Sequence, residues 1–201
     1  MTKATDTQLE VLSHHYSETF ELLKNDVSKR DRLFLYILIV IFTLLLYMSA
    51  PNAMGELLNN FLNSQTGGEG SQIIDVSFIG AILLLVLLSL SHTYFQTVLH
   101  VERQYSYVYQ LEKVLCEYFD NKAFIREGEF YRRYRRMFSK WTKAIFWWLF
   151  PCLFLLFNII WLIFLWWRSG APFAYLVIDS LISLSTLTSL VFYLLALFKK
   201  R

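Results

Sequence analysis

Four runs of this chain contain no Asp, Glu, Lys or Arg: Leu33 to Gly55, Val76 to Val101, Ala144 to Trp167 and Ser180 to Phe198. A helix needs about 20 mainly apolar residues to cross the ~30 Å hydrocarbon core of a bilayer, and each run is about that long. Apolar residues make up 56% of the 201 positions and charged residues 17%. They are gathered into blocks, whereas a soluble core spreads them along periodic stripes. Backbone groups in lipid must be satisfied within their own segment, so the runs are expected as helices. A β-barrel would show short alternating strands, which continuous apolar runs exclude. The expected fold class is therefore all-α: a four-helix transmembrane bundle, with 1–201 forming a single membrane domain and spans at 31–50, 75–100, 144–167 and 172–198.

Charge outside the runs sets the expected topology, because inside loops carry excess Lys and Arg. Lys3, Lys24, Lys29, Arg30 and Arg32 precede the first span, and ten basic residues lie between Glu102 and Lys143. The connection from Pro51 to Asp75 has no basic residue and carries Glu56, Glu69 and Asp75. The third connection has only Arg168, and the chain ends Lys199-Lys200-Arg201. Both termini and the second connection are thus expected on the cytoplasmic side of a plasma (inner) membrane. No early apolar core precedes a small-residue cleavage site, so the first span is expected to remain as an anchor. Trp147, Trp148, Trp161, Trp166 and Trp167 read as an aromatic belt at the headgroup level.

Outside the membrane the sequence predicts a small helical layer on one side only. Leu9, Leu12, Tyr16, Phe20, Leu23 and Val27 recur at three- and four-residue steps, the apolar face of an amphipathic helix over 5–30 capped by Thr5 or Asp6. Val101, Val108 and Leu115 are seven apart, with Leu111 and Tyr118 at intermediate positions. That coiled-coil-like seam carries the second span on to about residue 120, against the N-terminal helix or a neighbouring subunit. On the opposite side, the polar, glycine-rich stretch Asn63 to Ser71 is poorly suited to building a site.

Two groups of residues are candidates for function. The first is an interfacial helix over 130–143 that sets Tyr131, Tyr134, Phe138 and Trp141 on one face, flanked by Arg132, Arg133, Arg135, Arg136 and Lys140. Basic residues beside an anionic leaflet contribute about 1 kcal/mol each. Those five cations therefore bind anionic headgroups or dock an acidic partner; direct nucleic-acid binding is not expected. The second is a polar stripe within the spans: Asn158 in the third, and Asp179, Ser183, Thr186 and Tyr193 in the fourth. Asp179 precedes Lys199 by twenty residues, about 30 Å of helix, which puts it near the outer interface. Such a stripe lines a pore or makes interhelical hydrogen bonds, and hydroxyl-mediated packing is the commoner use. Ser185, Ser189, Gly80 and Ala81 are small enough for close helix approach. Cys116 and Cys152 read as packing residues, and His14, His15, His92 and His100 lack the neighbours of a metal set. The chain has no phosphate-binding glycine loop, no Gly-x-Ser-x-Gly and no His-Glu-x-x-His. Nothing in it calls for a cofactor or an enzyme.

The order of features resembles the small four-span membrane proteins encoded in bacterial antiphage loci, such as the membrane subunits of Kiwa systems. The shared features are a helical N-terminal lead ending Lys29-Arg30-Asp31-Arg32-Leu33 and a second long cytoplasmic stretch containing Tyr109 to Val114 and Ile125 to Gly128. An aromatic re-entrance ending Leu149-Phe150-Pro151 follows. The likeness is architectural and covers most of the chain. It implies a homo-oligomeric membrane protein that works with a cytoplasmic partner, senses envelope damage or alters permeability. Two other functions fit four spans: a channel-forming effector that depolarises the membrane, and an immunity protein against a pore-forming toxin.

Overall fold

The computed structural model describes residues 6–66, 76–118, 141, 145–167 and 172–199. The elements are α1 (Asp6–Ser49), α2 (Pro51–Thr66), α3 (Val76–Tyr118), a π-helical turn (Ile145–Leu149), α4 (Phe150–Trp167) and α5 (Phe173–Lys199), with no strand among the described residues. Four of the helices, α1, α3, α4 and α5, are long and apolar enough to cross a membrane. The protein is a multi-pass membrane protein of all-α fold.

Prolines place the boundaries. Pro51 disfavours helical backbone at Ala50 and tolerates the first turn of a helix, so α1 stops and α2 starts there. Ala50 bridges the two, donating its N–H to the Leu46 carbonyl (3.0 Å) and accepting from the Met54 N–H (3.1 Å). Pro172 opens α5, its carbonyl accepting from the N–H groups of Tyr175 and Leu176. Pro151 is the second residue of α4 and has no N–H to give to the preceding turn, and the wide π turn immediately before it absorbs the mismatch.

The chain divides into two compact units, Met1–Arg32 with Gln96–Phe150, and Leu33–Phe95 with Pro151–Arg201. The division follows charge: the second unit takes in the charge-free runs almost whole, and the first takes most of the charged sequence.

In the first unit, the early part of α1 runs antiparallel to the late part of α3. Leu23, Val101 and Val108 form the buried core, with Tyr16 and Val27 packed against it. Leu115 continues the seam and is fully buried. The seven-residue spacing along α3 therefore finds its partner within the same chain. Glu112 lies in this seam, its carboxylate accepting from the Tyr16 hydroxyl at 3.1 Å. Tyr118, at a seam position in the sequence, is exposed.

The second unit is inside-out relative to a soluble protein. Phe42, Leu85, Leu156, Ile163, Leu184 and Phe192 stand exposed on its surface, while Ser91, Asn158, Asp179, Ser183 and Thr186 are buried. In water an apolar surface of that extent is untenable; in a bilayer it is the solvated face. Aromatic rings fill the interior. Phe95 stacks on Tyr193 with centroids 4.5 Å apart and meets Phe154 edge-on at 5.9 Å. Tyr47 tilts against Trp161 at 5.9 Å.

α2 departs from the sequence reading, which treats Pro51 onward as a connection. It is a helix of 16 residues with Leu57 and Phe61 exposed. Its signal was present in the sequence: Met54, Leu57, Leu58, Phe61 and Leu62 follow the three-and-four spacing of an amphipathic helix.

Candidate functional site

The polar stripe of the second unit is built where α4 and α5 meet. Asn158 is 1% exposed, Asp179 3%, Ser183 0% and Thr186 2%. On α5, Asp179, Ser183 and Thr186 recur at steps of four and three, so they share one face. Ser183 Oγ donates to Asn158 Oδ1 across the helix pair at 3.2 Å. Asn158 Nδ2 donates back along its own helix to the Phe154 carbonyl at 2.9 Å. Thr186 Oγ1 donates to the Ile182 carbonyl at 2.8 Å. The Asn158 amide thus clamps the two helices together. Of the four, Asn158 and Ser183 bond between helices, and all four side chains are buried within a single copy.

One turn from Ser183 along α5 stands Asp179, and one turn from Asn158 along α4 stands Trp161. Asp179 Oδ1 and Trp161 Nε1 are both buried and have no hydrogen-bond partner among the described residues. Asp179 places a carboxylate inside a spanning segment, where an ionisable side chain is expensive and is usually kept for a purpose. The arrangement can hold helices in register, and among the described residues it presents no nucleophile paired with a base.

Trp161 corrects the aromatic-belt reading. It is 1% exposed, packed between Tyr47, Phe157 and Phe164, and so is a core residue, whereas Trp148, Trp166 and Trp167 stand exposed as belt residues do. Trp166 Nε1 also donates to Ser180 Oγ at 3.0 Å, tying α4 to α5. Among the small residues, Gly80 fits the packing expectation. A Cβ added there would meet Tyr47 Cζ and Oη at 3.4 Å each. Ser185 is exposed on a single copy, its hydroxyl bonded to the Leu181 carbonyl of its own helix. Cys152 is exposed on α4 and Cys116 is half-buried on α3, and neither forms a disulfide.

Arg132, Arg133, Arg135, Arg136 and Lys140, the basic cluster read from the sequence, lie outside the described residues. What the first unit does display is a second group that sequence reasoning passed over. His100 Nε2 stands 3.4 Å from Asp26 Oδ2, in a groove also lined by Lys29, Gln96, Thr97 and Arg103. These residues are scattered over two helices in the sequence, and only the antiparallel register brings them together. Farther along the same unit, His15 Nε2 and the Tyr107 hydroxyl are 2.9 Å apart, their rings edge-to-face.

No protein-family model, curated protein or solved structure matches this chain.

Proposed function

We propose that this protein is a non-enzymatic, oligomeric subunit of a bacterial plasma membrane, with both termini cytoplasmic, that recruits a soluble protein partner as a sensor or scaffold in antiphage defence. The carrying observation is the surface of the first unit. Its helix pair closes its own seam around Leu23, Val101 and Val108, yet Val11 and Leu22 on α1 and Tyr107, Val114 and Tyr118 on α3 remain exposed. These side chains lie outside the lengths of helix that lipid would cover, among charged neighbours. Apolar groups so placed are available for protein–protein contact. The basic excess of the segments flanking the spans supports the cytoplasmic assignment. A pore lined by Asn158, Asp179, Ser183 and Thr186 has weaker support, because those residues turn inward within one copy.

The test is native mass spectrometry of the tagged protein, gently extracted from its own host. A homo-oligomer carrying a bound soluble protein is expected. Val114→Glu with Tyr118→Glu should remove that protein and leave the oligomer in the membrane. A monomer with nothing bound would overturn the reading.

A further inference from the structure

The groove between the early part of α1 and the late part of α3 faces the chemistry of a lipid headgroup. Asp26 and Lys29 are three residues apart on α1, and His100 and Arg103 are three apart on α3, so each pair shares a helix face. The four line one groove of about 430 Å³ together with Gln96 and Thr97, a volume within the usual range for small-molecule sites. Neither Lys29 nor Arg103 has a salt-bridge partner among the described residues. The neighbouring Arg30 is already committed, its Nη2 lying 2.7 Å from Asp31 Oδ1. Among the described residues these two cations stand without a counter-charge, and the one carboxylate beside them is held near His100.

Position narrows the ligand. Lys29 is four residues before Leu33, where the charge-free run of α1 begins, and Arg103 is two residues after Val101, where that of α3 ends. Four residues of helix rise about 6 Å. The polar layer on each side of a bilayer is about that thick, the difference between ~30 Å of hydrocarbon and ~40–45 Å overall being shared by two faces. The groove thus lies at headgroup depth.

Charge pattern narrows it further. A patch reading anions alone would not place Asp26 among its cations. A carboxylate beside two cations is complementary to a group carrying a phosphate and an ammonium together. A primary ammonium donates hydrogen bonds to a carboxylate, which a quaternary ammonium lacks the protons to do. We infer that this groove binds a phosphoethanolamine group, the phosphate held by Lys29 and Arg103 and the ammonium by Asp26, with phosphatidylethanolamine of the bilayer as its source. This inference is independent of the partner reading above.

The full chain would be placed in nanodiscs containing equal phosphatidylethanolamine, phosphatidylcholine and phosphatidylglycerol, and the lipids retained on release would be counted by native mass spectrometry. Wild-type protein should retain phosphatidylethanolamine about tenfold over phosphatidylcholine, the ratio that one charge-assisted hydrogen bond supports. It should also prefer it to phosphatidylglycerol. Asp26→Asn should erase the preference over phosphatidylglycerol, and Lys29→Gln with Arg103→Gln should lower retention of phosphatidylethanolamine. The two cationic side chains are exposed, so their loss spares the packed seam. The wild-type comparison among headgroups needs no variant at all. Tighter binding of soluble phosphoethanolamine than of phosphatidylethanolamine would reassign the source and overturn the lipid assignment. Equal retention of phosphatidylethanolamine and phosphatidylcholine, or stronger retention of phosphatidylglycerol, would overturn the site.

Discussion

Ser183 on α5 donates its hydroxyl to the side-chain oxygen of Asn158 on α4, 3.2 Å away and wholly buried, across 25 residues of sequence. Asn158 donates its amide nitrogen to the Phe154 carbonyl of its own helix, and its oxygen, which can only accept, receives the hydrogen bond from Ser183. A buried amide with both ends engaged fixes the register of α4 against α5 more sharply than aliphatic packing does.

A double-mutant cycle measures that bond. Ser183→Ala and Asn158→Leu are each expected to destabilise the second unit, and the coupling between them should be about 0.6 kcal/mol, with ~1.7 as the upper bound for interhelical hydrogen bonds in membranes. Steric trapping in bicelles gives the four stabilities. Additive effects would mean that the two side chains are neighbours without a bond.

Gly80 and Tyr47 should respond to side-chain size in a graded way. A Cβ at Gly80 would touch the Tyr47 ring at 3.4 Å, an ordinary contact, so Gly80→Ala should change stability by less than about 1 kcal/mol. Gly80→Leu must push the ring aside and should cost about 1–3 kcal/mol. Restoration of Gly80→Leu by Tyr47→Ala, read as thermal stability in detergent, would confirm which ring is in the way.

The spans were legible because charge-free runs of bilayer length admit only one structure, and the long extension of α3 was legible in Val101, Val108 and Leu115. α2 was not. Its apolar spacing at Met54, Leu57 and Phe61 was outweighed by the polar, acidic character of the Pro51–Asp75 stretch, which reads as a connection. The polar stripe was visible as residue types, but its interhelical use depended on the register of the α4–α5 pair. The Asp26–His100 contact was hidden for a related reason: it joins positions 74 apart in sequence, and no local pattern announces it.

Tyr16 and Glu112 make a prediction for the first unit. Glu112 is buried and accepts from the Tyr16 hydroxyl at 3.1 Å. Tyr16→Phe keeps the ring and removes the donor, so the carboxylate loses a hydrogen bond worth about 1.5–3 kcal/mol for a charged acceptor. Hydrogen exchange of the α1 amides before Arg32 should quicken accordingly. Glu112→Gln in the same background should recover part of the loss, because a neutral amide is cheaper to leave underbonded.

The orientation expected from charge is open to direct test. The segment from Glu102 to Lys143 carries ten basic residues, and Pro51 to Asp75 carries none, an asymmetry from which the positive-inside rule expects the former in the cytoplasm. An alkaline phosphatase domain fused after Thr66, at the end of α2, should therefore be active, and a fluorescent protein fused after Arg201 should fold and emit. Exchanging the two reporters should silence both. If α1, α3, α4 and α5, the four helices long and apolar enough to cross, each span the bilayer, both chain ends must report the same side. Opposite reports from the two ends would mean that one of the four helices does not span. Phosphatase activity at both ends, with none after Thr66, would mean that the chain inserts against its own charge bias.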